Sequence, residues 1–263
     1  MPEEPEPGER DRLQAVVFDV DGTLVDSERD GHRVAFNLAF EEAGMPDRWE
    51  VERYGELLAV SGGKRRLSHY FEQQGMAEEE REELSGRLHV RKTQIFMEMA
   101  KEGEIEARPG AGELVDELAD AGVRLAVATT GSREWVDPLL DRLFGVKRFE
   151  AIVGGDEVPR RKPDPSAYRM ALERLGLPAA AAPAIEDSVI GLEAAKAAGL
   201  ACAVVLNDYT RDQDFSAADV VLDGFGLPND PVAVISDPHG LSPPGHLDLD
   251  TMRALVAATA PTG

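Results

Sequence analysis

Cysteine is almost absent from this 263-residue chain, and its scarcity limits the chemistry available to the protein. The single cysteine, Cys202, cannot form an internal disulfide, which suits a reducing compartment and predicts a cytoplasmic protein. Because Cys202 lies within the apolar run ACAVVL, we expect it to be a buried packing residue.

Long uncharged apolar segments are also missing, so the sequence offers no candidate for a membrane-spanning helix and predicts no membrane partner. The opening stretch MPEEPEPGERDR, residues 1–12, is acidic and rich in proline. We therefore expect a disordered lead there and not a signal peptide.

Basic residues are few, because 28 lysines and arginines face 50 aspartates and glutamates, for a formal net charge of -22. This balance argues against a general nucleic-acid binder. It would also repel an anionic substrate from most of the surface, so such a substrate would need locally placed cations. The positions of lysine and arginine are therefore informative.

Short apolar, β-branched runs alternate with helical stretches through most of the chain. Each run is almost continuously apolar, as is usual for a parallel sheet covered on both faces. The alternation predicts a doubly wound α/β fold, whose chemistry lies at the carboxyl ends of the strands. The predicted strands cover residues 15–20, 124–130, 150–155, 183–187, 202–206 and 219–223.

Residues 29–104 interrupt this alternation, since they contain helical patterns and no strand-like run. We expect an all-helical domain inserted into a core that comprises residues 13–28 and 105–225. The remaining residues, 226–263, are rich in proline, glycine and aspartate, and we expect a loosely attached tail with at most one short helix.

Two carboxylates, Asp19 and Asp21, end the first predicted strand in the stretch AVVFDVDGT. Carboxylates this close are costly unless a metal ion or a shared proton compensates, and oxygen ligands favour Mg²⁺. An ionised Asp19 could then be a nucleophile and Asp21 a general acid and base. The alternative is an Asx turn where the strand meets its loop.

Other polar side chains follow three further strands. Thr129 and Thr130 could bind a phosphoryl oxygen or cap the next helix, and Lys162 could face a phosphate or be surface charge. Glu186 and Asp187 form a second acidic pair suited to a metal, although Asp187 could also cap a helix. Taken together, a carboxylate, a hydroxyl, a lysine and an acidic pair suit phosphoryl transfer.

The sequence resembles the haloacid dehalogenase superfamily of phosphotransferases through four motifs in chain order. DVDGT matches the first motif, Thr129 the second, Lys162 the third, and Glu186 with Asp187 the fourth. The resemblance spans roughly residues 14 to 225 and implies a Rossmann-like core.

The same resemblance implies roles for the acidic residues. Asp19 would form an aspartyl-phosphate, and Mg²⁺ would be held by Asp19, the backbone carbonyl of Asp21 and the carboxylate of Asp187, with help from Glu186. Dehalogenases of the superfamily lack the second aspartate, so Asp21 favours phosphate chemistry.

The helical insertion resembles the caps of β-phosphoglucomutase and phosphoglycolate phosphatase, which close over the core and select the substrate. Four stretches resemble the CbbY-type phosphatases, which remove a phosphate from xylulose 1,5-bisphosphate: DVDGTLVDSERDGHRVAFN, RYGELLAVSGGKRRL, GEIEARPG and LAVATTGS. The expected substrate is therefore a small sugar phosphate, and we expect a monomer.

A doubly anionic substrate would need contacts for its second phosphate, and the insertion contains candidates. Glu28 and His32 are four residues apart, so they share a helix face, and Tyr54 could close the same pocket with its hydroxyl. The alternative is that His32 and Tyr54 are ordinary interface residues.

The stretch SGGK offers a second group of candidates. The backbone amides of Gly62 and Gly63 can approach an anion closely, and Lys64 and Arg66 lie beside them. The alternative is that both cations are solvated surface charges.

Three functions remain open on the sequence alone. The first is a Mg²⁺-dependent phosphatase for a sugar phosphate, with xylulose 1,5-bisphosphate as the sharpest candidate. The second is a sugar phosphomutase of the β-phosphoglucomutase type, and the third is a sugar-phosphate sensor without turnover.

Overall fold

A computed structural model of the protein describes residues 13–60 and 62–260. The expected acidic lead, residues 1–12, lies outside this part of the chain, as do the last three residues of the expected tail. The described residues form two compact units. The first runs up to Val25 and resumes at Glu106, and the second is Asp26–Ile105.

A seven-stranded sheet forms the centre of the first unit, with the strand order β3-β2-β1-β4-β5-β6-β7. Neighbouring strands from β3 to β6 pair in parallel, and β7 pairs antiparallel with β6. The strands are β1 (Ala15–Phe18), β2 (Arg124–Ala128), β3 (Phe149–Val153), β4 (Ala184–Glu186), β5 (Cys202–Val205), β6 (Val220–Leu222) and β7 (Val234–Ser236). The expected doubly wound α/β fold is confirmed, and each of the six predicted strands overlaps one of β1 to β6.

Strand β1 lies at the point where the order of the sheet reverses. Val17 on β1 pairs with Ala126 on one side and with Ala184 on the other, and all four residues of the strand are buried. In open parallel sheets, ligands bind at the carboxyl end of the strands beside such a switch point. The topology therefore predicts a ligand site among the residues that follow β1, β2 and β4.

The regular secondary structure that the described residues of the second unit form is helical. A π-helix (Ser27–His32) is followed by α1 (Arg33–Glu42), α2 (Val51–Leu57), α3 (Gly63–Gln73) and α4 (Glu78–Glu102). Its interior is aromatic, with buried Phe36, Phe40, Trp49 and Phe71. The ring centroids of Phe36 and Trp49 are 4.8 Å apart, a spacing at which aromatic rings attract each other beyond simple burial.

Helices also cover the sheet of the first unit. They are α5 (Ala111–Asp120), α6 (Arg133–Phe144), α7 (Ser166–Leu175), α8 (Val189–Ala197) and α9 (Leu249–Thr259). Helix α5 shows why they form, because its buried residues recur at helical spacing and face the sheet. Among all described helices, none has both the length and the apolar character needed to cross a membrane.

The tail differs from the sequence-based expectation of a loose attachment. Within residues 226–260, Val234 of β7 pairs with Leu222 of β6, and α9 buries Met252 and Leu255. The physical reason is an apolar stripe at helical spacing in α9, which has enough area to pack against the core. The one short helix that the sequence allowed in this tail is thus present as α9, and it packs against α5.

Candidate active site

The predicted core residues lie at the carboxyl ends of neighbouring strands. Asp19 directly follows β1, Thr129 directly follows β2, and Glu186 is the last residue of β4, with Asp187 next to it. Since β1 lies between β2 and β4, these residues meet at one edge of the sheet. Lys162 joins them from the connection between β3 and α7.

Three buried carboxylates form the centre of the site. One carboxylate oxygen from each of Asp19, Glu186 and Asp187 lies within 4.8 Å of the other two. The Lys162 ammonium donates to Asp19 Oδ1 at 2.6 Å and to Glu186 Oε1 at 2.5 Å. Lys162 is itself only 9% exposed, so this cluster places three acids around one cation away from bulk water.

Burial and the neighbouring charges shift the pKa values of the ionisable groups in this cluster. Burial raises the pKa of Glu186 to about 7, and the neighbouring Asp19 adds to this effect. Burial, followed by Asp19 and Glu186, also raises the pKa of Asp187 well above its ordinary value. For Lys162, burial lowers the pKa, but attraction to Asp19 and Glu186 outweighs it and leaves the pKa above its ordinary value.

A divalent cation fits this donor set. The three carboxylates are hard oxygen ligands of the kind that Mg²⁺ prefers, and a bound cation would remove the repulsion among them. Asp187 is also oriented through both oxygens, because Thr23 Oγ1 donates to its Oδ1 at 3.1 Å and Asn207 Nδ2 to its Oδ2 at 2.7 Å. Such outer contacts are typical of ligands held for a metal.

Three side chains that support the carboxylates were not identified from the sequence. Thr23 stands inside the DVDGT motif, and Asn207 follows β5 closely, so the strand-end argument could have identified both. Tyr168, by contrast, lies in α7 and gave no signal. Its hydroxyl donates to Glu186 Oε1 at 2.5 Å, which helps to fix that carboxylate.

Gly22 is required by the close packing of the site. Its φ angle is +85°, in the left-handed region that side chains rarely adopt. A Cβ atom at this position would lie 2.3 Å from Asp187 Oδ2 and 2.8 Å from Asn207 Nδ2. The loop that follows Asp19 can therefore approach Asp187 only because position 22 has no side chain.

Asp21 and Thr129 form a separate contact beside the carboxylates. Thr129 Oγ1 donates to Asp21 Oδ2 at 3.4 Å and accepts from the backbone N–H of Gly131 at 3.0 Å. The predicted neighbour Thr130 lies next to Thr129 and is half-buried.

In the helical unit, the structure brings Glu28, Tyr54 and Arg66 together. The Tyr54 hydroxyl donates to Glu28 Oε2 at 2.5 Å, and Arg66 Nη1 donates to the Tyr54 oxygen at 2.8 Å. Arg66 Nε donates to the Leu57 carbonyl at 3.2 Å, so the guanidinium is anchored on two sides. Only 7% of Arg66 is exposed, which makes it a buried cation and not a solvated one.

His32 has a partner that the sequence did not reveal. Lys92, on α4, places its ammonium 3.0 Å from Nδ1 of His32 and above the rings of Phe36 and Phe96. Burial and the Lys92 charge lower the pKa of His32 well below its ordinary value. The imidazole is therefore neutral and accepts a hydrogen bond at Nδ1.

The described residues of the SGGK stretch, Gly62 to Lys64, and the nearby Arg66 lie in different surroundings. Gly62, with a φ angle of +90°, precedes α3, and Gly63 begins that helix. Lys64 forms an exposed ion pair with Glu82, with its Nζ 3.0 Å from Glu82 Oε2. Lys64 and Arg66 therefore do not form one patch, because Arg66 belongs to the buried cluster and Lys64 to the surface.

Comparison with known proteins decides the family. A sequence model of haloacid dehalogenase-like hydrolases matches residues 13–199. The chain belongs to the haloacid dehalogenase-like hydrolases. The predicted family resemblance is confirmed, and the seven-stranded sheet is the fold expected of this family.

Several haloacid dehalogenase-like relatives are similar over most of their length. The chain is 43% identical to the CbbY protein of Cereibacter sphaeroides, covering 81% of this chain and 93% of that protein. It is 31% identical to a phosphoglycolate phosphatase of Pseudomonas savastanoi, covering 94% and 85%. The chain is thus a hydrolase of the phosphatase type.

A solved structure extends this comparison. The crystal structure of a mutant CbbY from Rhodobacter sphaeroides in complex with xylulose-(1,5)bisphosphate matches with a TM-score of 0.65 and 40% sequence identity. The match covers 81% of this chain and 94% of that one.

Proposed function

We propose that the protein is a Mg²⁺-dependent sugar-phosphate phosphatase that works through an aspartyl-phosphate on Asp19, with a sugar bisphosphate such as xylulose 1,5-bisphosphate as its substrate. The observation that carries this proposal is the buried group of Asp19, Glu186 and Asp187 with Lys162 on Asp19. Asp19 and Asp187 would hold the metal, together with the backbone carbonyl of Asp21 and with help from Glu186. The predicted cytoplasmic location and monomeric state stay predictions.

The first half of the reaction forms a bond to Asp19. A carboxylate oxygen of Asp19 attacks phosphorus while the bond from phosphorus to the sugar oxygen breaks, and Asp21 gives its proton to that leaving oxygen. Lys162 and Thr129 donate to the transferring phosphoryl oxygens. Mg²⁺, when bound, offsets the negative charge that phosphate and carboxylates share.

The second half returns the enzyme to its starting state. Asp21, now ionised, takes a proton from water as that water attacks phosphorus, and the bond between phosphorus and Asp19 breaks. Inorganic phosphate leaves, and Asp21 is protonated again for the next cycle. The contact of the Asp21 carboxylate with Thr129, which directly follows β2, supports this role because it places Asp21 at the same end of the sheet as Asp19.

The buried cations of the helical unit support a substrate with a second phosphate. Arg66 and Lys92 are both less than a tenth exposed, and a cation held away from bulk water attracts an anion more strongly than a solvated cation does. We propose that Arg66, His32 and Tyr54 bind the second phosphate and the sugar, with Glu28 orienting Tyr54. The amides of Gly62 and Gly63 and the charge of Lys64 would add to this binding.

A screen of sugar monophosphates and bisphosphates for release of inorganic phosphate tests the proposal. We expect Mg²⁺-dependent release, lost on chelation, with the largest kcat/KM for xylulose 1,5-bisphosphate. Incubation with β-glucose 1-phosphate is the second arm, in which conversion to glucose 6-phosphate would instead identify a mutase. Binding of sugar phosphates without any turnover would identify a sensor and overturn the proposal.

A further inference from the structure

One arginine joins two loops at the edge of the sheet where the carboxylates lie. Arg108 Nη1 donates to the backbone carbonyl of Gly22 at 2.5 Å and to that of Val205 at 3.3 Å, and Nη2 donates to the carbonyl of Leu206 at 2.5 Å. Gly22 belongs to the loop after β1, whereas Val205 and Leu206 lie where β5 ends. A single guanidinium therefore spans both loops.

These two loops are the ones that orient Asp187. Asn207 Nδ2 donates both to Asp187 Oδ2 at 2.7 Å and to the Gly22 carbonyl at 3.2 Å. The Leu206 carbonyl belongs to the peptide group that joins Leu206 to Asn207, so a bond to it fixes the backbone of Asn207. Arg108 thus holds the two backbone carbonyls on which the position of the Asn207 amide depends.

The packing of Gly22 makes this arrangement sensitive. Gly22 lies so close to Asp187 that an added Cβ would be 2.3 Å from Oδ2. A rotation of the Gly22 peptide would therefore change both the space beside Asp187 and the direction of the carbonyl that Asn207 binds. Mutating the outer partners of a metal ligand typically weakens metal binding about tenfold to a hundredfold.

We propose that Arg108 is a positioning residue for the metal site. It holds Asp187 in its ligating orientation through Gly22, Leu206 and Asn207. The inference rests on the proposed function in one respect, namely that Asp187 binds Mg²⁺. Arg108 is suited to this task because its planar fork can donate to two carbonyls at once, whereas an ammonium is a point charge. The backbone N–H of Arg108 also donates to the Leu24 carbonyl at 2.9 Å, which anchors the residue near the same loop.

Calorimetric titration of the full chain with Mg²⁺ alone tests the inference. We expect Arg108→Met to weaken the Mg²⁺ Kd by about tenfold to a hundredfold and Arg108→Lys to weaken it by less. The matched control is Arg124→Met, since Arg124 also donates to a backbone carbonyl, that of Leu175, but at the opposite end of the sheet. The control should bind Mg²⁺ as tightly as the unaltered protein.

A second measurement separates positioning from general destabilisation. If Arg108 acts through the metal, raising the Mg²⁺ concentration should restore much of the turnover that Arg108→Met loses, with the substrate KM unchanged at saturating Mg²⁺. A purely structural role would leave the loss independent of Mg²⁺. Should Arg108→Met fail to fold, Arg108→Lys provides the same two measurements.

The outcomes separate the inference from the proposed function. An unaltered protein that binds Mg²⁺ and releases phosphate, together with an Arg108→Met variant of equal Mg²⁺ affinity, would overturn the inference alone. An unaltered protein that binds no Mg²⁺ would overturn the metal assignment and the inference with it. A selective loss of affinity in the Arg108 variants supports the positioning role.

Discussion

The two units of the molecule each bury charged side chains, but the sign of the surplus charge differs. The group in the first unit is acidic, with Asp19, Glu186 and Asp187 around Lys162. The group in the second unit is basic, with Arg66 and Lys92 against Glu28 and a neutral His32. A surplus of buried carboxylate suits a cation, and a surplus of buried cation suits an anion.

The two groups are also built in different ways. In the first unit, short loops after adjacent parallel strands place the side chains, so the sheet fixes their spacing. In the second unit, the side chains come from the π-helix and from helices α2, α3 and α4. Contacts between helices that are far apart in the sequence bring these side chains together. We infer that the first group performs the chemistry and that the second selects the substrate, a division that mutations in each group can test.

The largest effect should come from the nucleophile. Asp19→Asn removes the attacking carboxylate and one proposed metal ligand, so we expect turnover to fall by about 10⁴-fold or more. A steady-state assay of phosphate release measures this loss. The control is Asp116→Asn, because Asp116 is an exposed residue of α5 that pairs with Arg148 and should not affect turnover. Appreciable activity of the Asp19→Asn variant would exclude Asp19 as the nucleophile.

An intermediate effect should come from the basic group. Arg66→Met removes a buried cation, and we expect KM for a bisphosphate to rise roughly tenfold to a hundredfold with little change in kcat. A monophosphate should be affected much less. Lys64→Ala is the comparison, since Lys64 is half-exposed and pairs with Glu82, and its effect should stay below about threefold.

Equal losses on monophosphates and bisphosphates in Arg66→Met would contradict the division between the two groups. A larger effect of Lys64→Ala than of Arg66→Met would assign the second phosphate to the surface lysine instead.

The smallest effect is a pH-dependent change in stability. Burial raises the pKa of Glu186 from 4.5 to about 7, so folding without metal becomes less favourable as the pH rises from about 4.5 to about 7. Mg²⁺ binds the ionised carboxylates, and its stabilising effect should therefore grow from about pH 5 to about pH 8. At a hundredfold excess over Kd, we expect Tm to rise by about 5–10 °C at the higher pH.

Thermal melts with Mg²⁺ and with a chelator measure this difference at both pH values. The variant Asp187→Asn serves as the control, because it should lose most of the Mg²⁺ response and melt higher than the unaltered protein when metal is absent. An identical Mg²⁺ response at both pH values would show that these carboxylates do not hold the ion.

The acidic group was predictable from sequence because of how parallel sheets are built. Each buried strand appears as an apolar run, and the residue that follows the run must lie at the common edge. Asp19, Thr129 and Asp187 could be located in this way without any knowledge of distances. Asn207 satisfies the same rule after β5, so its place at this edge of the sheet was predictable, but its contact with Asp187 was not, because no spacing reveals it.

The basic group was less predictable, since helical periodicity reports a face and not the partner that covers it. Lys92 reaches His32 only because the π-helix and α4 pack together, and it appears in the sequence as one cation in a charged helix. Strand β7 was missed for another reason. Its residues belong to the short apolar stretch VAVIS, residues 232–236, but they are exposed, and the stretch lies in a segment rich in proline, glycine and aspartate.

Gly22 has a consequence for how this sequence can change over evolutionary time. A side chain at position 22 would enter the space that the Asp187 carboxylate occupies, although the two residues lie far apart in the chain. Variation at either position is therefore constrained by the other, and a paired mutational library should recover almost no active combination that enlarges both.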